Sequence, residues 1–142
     1  MRRQLSLAFC LLLVTAGAAF AGVANAGAST AAKPVAKVSI KIVSGSMCKP
    51  AAEFCFKPSL KSVVPGTKVT WVNTTLTVHT VTRCTTAACG GVSGGTGKDA
   101  GLSSGTIAKS GKYSFVFHGA GTYTYYCQIH GYALMHGTIT VT

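Results

Sequence analysis

The sequence predicts an all-β domain, a β-sandwich or small barrel. Three observations carry this: apolar residues alternate with period two, short runs are divided by Gly and Pro turns, and no helical period is sustained. Val38, Ile40 and Ile42 alternate with Lys37, Ser39 and Lys41, the pattern of a half-buried strand. Phe54 and Phe56 alternate in the next short segment. Pro65-Gly66 is a turn signal, after which Lys68-Val69-Thr70-Trp71-Val72-Asn73 reads as a strand. Thr77 to Thr82 is β-branched apart from His79 and is expected to be extended. Tyr113, Phe115 and Phe117 alternate again, and Gly119-Ala120-Gly121 turns the chain into Thr122 to Cys127. A last strand from Gly137 to Thr142 places Ile139 and Val141 on one face.

The first residues do not read as part of that domain. Met1-Arg2-Arg3 is a positive start, Leu5 to Val14 is apolar, and Ala-x-Ala sites follow at Ala19-Phe20-Ala21 and Ala24-Asn25-Ala26. This is the anatomy of a secretory signal peptide, expected over 1–26, with a short lead-in over 27–36 and the folded domain over 37–142. The competing reading is a retained membrane anchor, but small residues dilute the hydrophobicity where an anchor would be strongest. No later segment is apolar for long enough to span a bilayer, so no membrane insertion is expected after cleavage. The product would be periplasmic or extracellular. About 115 residues remain, enough for one core.

Charge is lopsided. Glu53 and Asp99 are the chain's two acids, and loss of Arg2 and Arg3 lowers the net charge from +11 to about +9. Such a field favours anionic partners. The basic residues are scattered singly along the chain, without a Lys/Arg run, zinc-finger spacing or helix-turn-helix pattern, so nucleic-acid binding is not expected. A solvated basic surface is the expectation. Residues 90–105 are rich in Gly and Ser but are no phosphate loop, because Val92 and Asp99 stand where Gly and Ser/Thr are needed. They read as a flexible surface loop. Asn73-Thr74-Thr75 fits a glycosylation pattern only.

Once Cys10 leaves with the leader, Cys48, Cys55, Cys84, Cys89 and Cys127 remain. An odd number in an oxidising compartment calls for an explanation. Cys127 lies among metal-binding residue types and the other four do not. Those four allow three pairings; the expectation is the local one, Cys48–Cys55 and Cys84–Cys89.

The segment Cys127-Gln128-Ile129-His130-Gly131-Tyr132-Ala133-Leu134-Met135 offers a thiolate, an imidazole and a thioether between two strands. His79 supplies a second imidazole from an upstream strand. Two imidazoles and a thiolate in a trigonal set, with a long axial thioether, define a blue-copper site, because the sulfur ligands hold Cu(I) and imidazoles accept both oxidation states. Zinc is disfavoured because methionine is a poor zinc ligand. Singly, each residue has a bland role: a strand histidine, a packed methionine, a buried thiol. Their conjunction with the odd cysteine favours one copper per chain.

At these residues the chain resembles the cupredoxins, in particular the plastocyanin and pseudoazurin branch, whose ligand loop is also Cys-x2-His-x4-Met. The resemblance spans Lys37 to Thr142. It implies a Greek-key β-sandwich of about eight strands with the ligands His79, Cys127, His130 and Met135 near one end. It also implies a carrier of single electrons cycling Cu(I)/Cu(II), with His130 as the surface contact and no substrate catalysis. Tyr126 matches a tyrosine that plastocyanins use as a more remote electron exit. Thr80 departs from the family's usual asparagine, so the ligand loops must be tied differently. The two acids cannot form a plastocyanin acidic patch, and a redox partner with an acidic docking surface is expected, the carrier itself acting as a monomer. The alternative functions are a cell-envelope copper scavenger or delivery protein, and a copper enzyme. The enzyme would need more histidines than His118 and His136.

Overall fold

A computed structural model describes residues 35–142; the expected leader and residues 27–34 of the lead-in lie outside the described residues. Among the described residues, no helix is long and apolar enough to cross a membrane.

Among the described residues, eight strands form two four-stranded sheets. They are β1 (Lys37–Ser44), β2 (Phe54–Lys57), β3 (Leu60–Val63), β4 (Thr67–Asn73), β5 (Thr82–Arg83), β6 (Lys112–Phe117), β7 (Gly121–Tyr126) and β8 (His136–Val141). The first sheet runs β2-β1-β4-β6 and the second β3-β8-β7-β5. The alternation read from the sequence decides which side chains face inward. Val38, Ile40 and Ile42 of β1 pair in parallel register with Val69, Trp71 and Asn73 of β4, all toward the opposite sheet. From the other side come Val63, Tyr123, Tyr125, Ile139 and Val141, and one continuous core results. Trp71 is fully buried and meets Tyr125 edge-on at 5.3 Å. Each such burial stabilises the fold by roughly 1.5–3 kcal/mol.

Two segments depart from the sequence reading. Thr77 to Thr82 was expected as a continuous strand, but only Thr82–Arg83 is laddered, and His79 makes an isolated bridge to Ile107. The Asn73 side chain is the cause. Its amide donates to the carbonyls of Thr77 (2.8 Å) and Ile107 (2.9 Å), satisfying backbone that a ladder would otherwise bond.

The second departure is the Gly/Ser-rich stretch, which is pinned down and not a free loop. The Arg83 guanidinium donates to the carbonyls of Gly94 (3.0 Å), Asp99 (2.8 Å) and Gly95 (3.2 Å). Gly97 lies against the Tyr123 ring so closely that a Cβ there would overlap it. The Tyr123 hydroxyl donates to Asp99 Oδ2 at 2.8 Å, and the backbone N–H groups of His118 and Gly119 donate to the same oxygen.

Disulfides join Cys48 to Cys55 and Cys84 to Cys89, and among the described residues Cys127 is left free and buried.

Candidate metal centre

Cys127 follows β7 directly, where that strand parts from β8 after the pair Tyr126↔His136. The chain then folds back tightly. Gly131 N–H donates to the Cys127 carbonyl (2.9 Å), Met135 N–H to Gly131 (3.1 Å), and Cys127 N–H to Met135 (3.0 Å). Gly131 sits at φ 77°, a left-handed turn conformation that a side chain would strain. The compact loop returns His130 toward the strand end, with its Nδ1 3.3 Å from Cys127 Sγ.

His79 reaches the same point from the segment that leads into β5, beside β7. Its backbone is held by reciprocal bonds with Ile107 (3.2 and 2.8 Å), and its Nδ1 lies 3.9 Å from Cys127 Sγ. Ligand atoms of His79, Cys127 and His130 all fall within 4.8 Å of one another. His79 and Cys127 are fully buried and His130 is half-buried. Met135, also buried, belongs to the same core cluster as Cys127.

Electrostatics favour a metal-ready state. Burial pushes the His79 imidazole down to about 4, and the neighbouring His130 adds to the shift, so His79 is neutral with a lone pair to give at physiological pH. Thr80 N–H points at Cys127 Sγ from 3.3 Å, a geometry that stabilises a thiolate. The Thr80 hydroxyl accepts from Gln128 N–H at 2.8 Å and so ties the two ligand-bearing segments together, the task that the asparagine does in the family pattern.

Three residues at the site escaped the sequence reading. Thr75 Oγ1 lies 2.9 Å from His79 Nε2 and 2.8 Å from Asn73 Oδ1, so a buried Asn73–Thr75–His79 chain orients the imidazole. Asn73-Thr74-Thr75 also fits a glycosylation pattern, which full burial of Asn73 rules out. The Phe54 ring packs on both imidazoles, with centroids 4.9 Å from His79 and 4.7 Å from His130. No sequence signal marks Phe54 apart from any core aromatic.

Beside His130 and Met135 opens a cavity of about 420 Å³, walled on its far side by the loop of the Cys48–Cys55 disulfide. Leu76, Val78, Ile129 and Leu134 are exposed near the ligand-bearing segments. His118 and His136 are exposed; His136 stacks on Tyr132 and does not join the cluster. Tyr126 lies beneath the Cys84–Cys89 disulfide with only 7 % of its surface exposed.

The family model for copper binding proteins of the plastocyanin/azurin family matches residues 43–142. The chain belongs to that family. A purple cupredoxin from Nitrosopumilus maritimus is 24% identical over 74% of this chain and 99% of its own, with a TM-score of 0.57. An oxidised methionine-to-leucine mutant of amicyanin is 26% identical over 74% of this chain and 81% of its own, with a TM-score of 0.52. A copper-containing nitrite reductase from Thermus scotoductus shares the fold at 20% identity and a TM-score of 0.54; the match covers 78% of this chain but 23% of that one. No curated protein is significantly similar in sequence. For a family member, one buried thiol with two imidazoles is the donor set of a single type 1 copper site, and the residues present fit it.

Proposed function

We propose that the protein is an exported carrier of single electrons, in which His79 Nδ1, Cys127 Sγ, His130 Nδ1 and Met135 would hold one copper. One observation carries this reading: the free cysteine is buried with two imidazole nitrogens within 4.8 Å. Copper held there supplies a one-electron Cu(I)/Cu(II) couple. The chain's own part is rigidity. Thr75 fixes the His79 ring, Thr80 fixes the loop behind Cys127, and Phe54 packs on both imidazoles, so little rearranges between oxidation states. Core packing keeps water from the thiolate.

Export rests on residues 1–26 read as a cleaved leader ahead of a 37–142 copper domain. Two disulfides suit the periplasm or the cell exterior. His130, half-buried and flanked by exposed Ile129 and Leu134, is the favoured electron exit. Tyr126 is a second path only through the disulfide that covers it. A monomeric carrier of this charge suits a redox partner with an acidic docking surface, and rising salt should then slow electron transfer between them. A salt-independent rate would remove steering from the account.

The deciding measurement is the visible spectrum of the copper-loaded protein beside Cys127→Ala. An intense thiolate-to-copper band, absent from the variant and reversibly bleached by reductant, is the expected result. Copper bound without that band would favour the scavenger or delivery reading. No copper bound at all would overturn the metal assignment.

A further inference from the structure

The basic residues that look scattered in sequence are gathered by the strand order. On the outer face of the first sheet, Lys41 of β1 stands directly opposite Lys57 of β2. Lys37 of β1 stands opposite Lys68 of β4, and Lys112 of β6 faces Val72 one strand away from Lys41. All five are exposed, half of the ten lysines in the chain placed on one face. Glu53 and Asp99, the chain's two acids, lie outside these four strands.

Like charges directly opposite across a strand pair destabilise a sheet. Two such pairs on one face lower stability. The Lys57 ammonium donates to the Met47 carbonyl at 3.0 Å, which orients the charge without neutralising it. Between the lysine rows run Ser39, Thr70 and Ser114, with Thr70 and Ser114 bonded to each other at 2.8 Å. The surface is therefore broad and cationic, with Val72 and Val116 half-buried among the lysines.

We propose that this face binds the headgroup plane of a bilayer rich in anionic lipid. Charge complementarity selects an anion, and the spread of the lysines across β2-β1-β4-β6 selects a flat one. Lysines are flexible point charges suited to a fluid array of headgroups; arginine forks and exposed aromatic rings, which phosphodiester and base recognition use, are missing from these strands. The rows run from beside the Asn73 end, next to His79, to the opposite end at Lys37 and Lys68. A molecule lying on this face keeps His130 at its flank, open to a partner held in the same membrane. The face is independent of the copper reading, and its test does not pass through the metal.

The test uses the exported protein with vesicles of phosphatidylcholine mixed with phosphatidylglycerol, against vesicles of phosphatidylcholine alone. Binding is read by co-sedimentation at low and at physiological salt. Lys37→Gln/Lys68→Gln and Lys41→Gln/Lys57→Gln are compared with Lys61→Gln/Lys98→Gln, which removes the same charge elsewhere. Each face variant is expected to lose roughly thirtyfold in partitioning, from about fivefold per lysine near an anionic surface. The control should lose far less. Lys37→Gln/Lys68→Gln should also melt no lower than the parent, because it removes a repulsion, so its lost binding cannot be lost folding. Equal losses in face and control variants would assign binding to net charge and overturn the proposal, as would no binding to the anionic vesicles. Face-dependent binding to a soluble polyanion such as single-stranded DNA, with none to vesicles, would overturn it in favour of that partner.

Discussion

Replacing Thr75 by valine keeps the side-chain shape and removes one hydroxyl from the most connected polar point near the site. That oxygen lies 2.9 Å from His79 Nε2, 2.8 Å from Asn73 Oδ1, 3.0 Å from the Thr77 carbonyl and 3.2 Å from Thr77 N. A hydroxyl has one proton and two lone pairs. Its proton serves Asn73 Oδ1 or the Thr77 carbonyl, and its lone pairs accept from Thr77 N–H and His79 Nε2–H. The imidazole proton therefore sits on Nε2, and Nδ1 turns a free lone pair toward Cys127 Sγ. Thr75→Val strands two donors in a site where Thr75 is 6% exposed. At about 1–3 kcal/mol for each unpaired buried group, and with partial relaxation, the fold should lose roughly 2–4 kcal/mol. Loss of a partner that orients a ligand histidine should weaken copper binding about 10–100-fold. Thermal unfolding of the metal-free protein reads the first quantity and competition with a copper chelator reads the second. Thr75→Ser keeps the hydroxyl, drops one methyl, and should lose only about 0.8 kcal/mol. A valine variant that melts and binds copper like the parent would refute the claim that this hydroxyl orients His79.

Thr80→Val removes the acceptor of Gln128 N–H, and chelators should strip copper faster from a fold weakened by about 1–3 kcal/mol. Asp99 should show in acid. Burial works to raise its carboxyl, but hydrogen bonds from Gly119, Tyr123 and His118 together hold it below its ordinary 3.8. A carboxyl depressed by folding stabilises above its unfolded pKa, and that contribution fades as pH falls through the folded value. Melting temperature measured stepwise below about pH 4 should therefore fall more steeply for the parent than for Asp99→Asn, and parallel curves would remove Asp99 from the account. Cys84→Ala/Cys89→Ala opens a short loop and should lose about 2 kcal/mol in a denaturant melt while the copper band persists, since no proposed ligand lies in that loop.

How much was legible in advance varied with the distance between cooperating residues. The ligand loop could be read because Cys127, His130 and Met135 lie in one short run, and the strands because their alternation is local. Phe54 could not, since folding brings it to both histidines; Thr75 and Asn73 lie close before His79 in sequence, but nothing in their residue types marks them as its support. Thr80 could be flagged as a departure, but its bond to Gln128 appears only once β7 and the His79 segment lie side by side. The lysine face was hidden for a similar reason: Lys37 and Lys68 are neighbours only because β1 and β4 run parallel. The Gly/Ser stretch read as loose because the sequence does not show that Arg83 bonds so many of its carbonyls.

The parallel pairing of β3 with β8 sets an order of events. Leu60 must wait for Thr138 and Val63 for Val141, and contacts so far apart along a chain form late because a long loop must close first. Met135 adjoins β8 and receives the Cys127 N–H through its carbonyl, so the ligand loop closes with the local β7–β8 hairpin, whereas His79 reaches Cys127 only when distant segments dock. Before then the growing chain holds dispersed thiols and imidazoles that any soft ion could engage. Discrimination between metals is thus a property of the folded molecule, exercised where folding ends and not where synthesis begins.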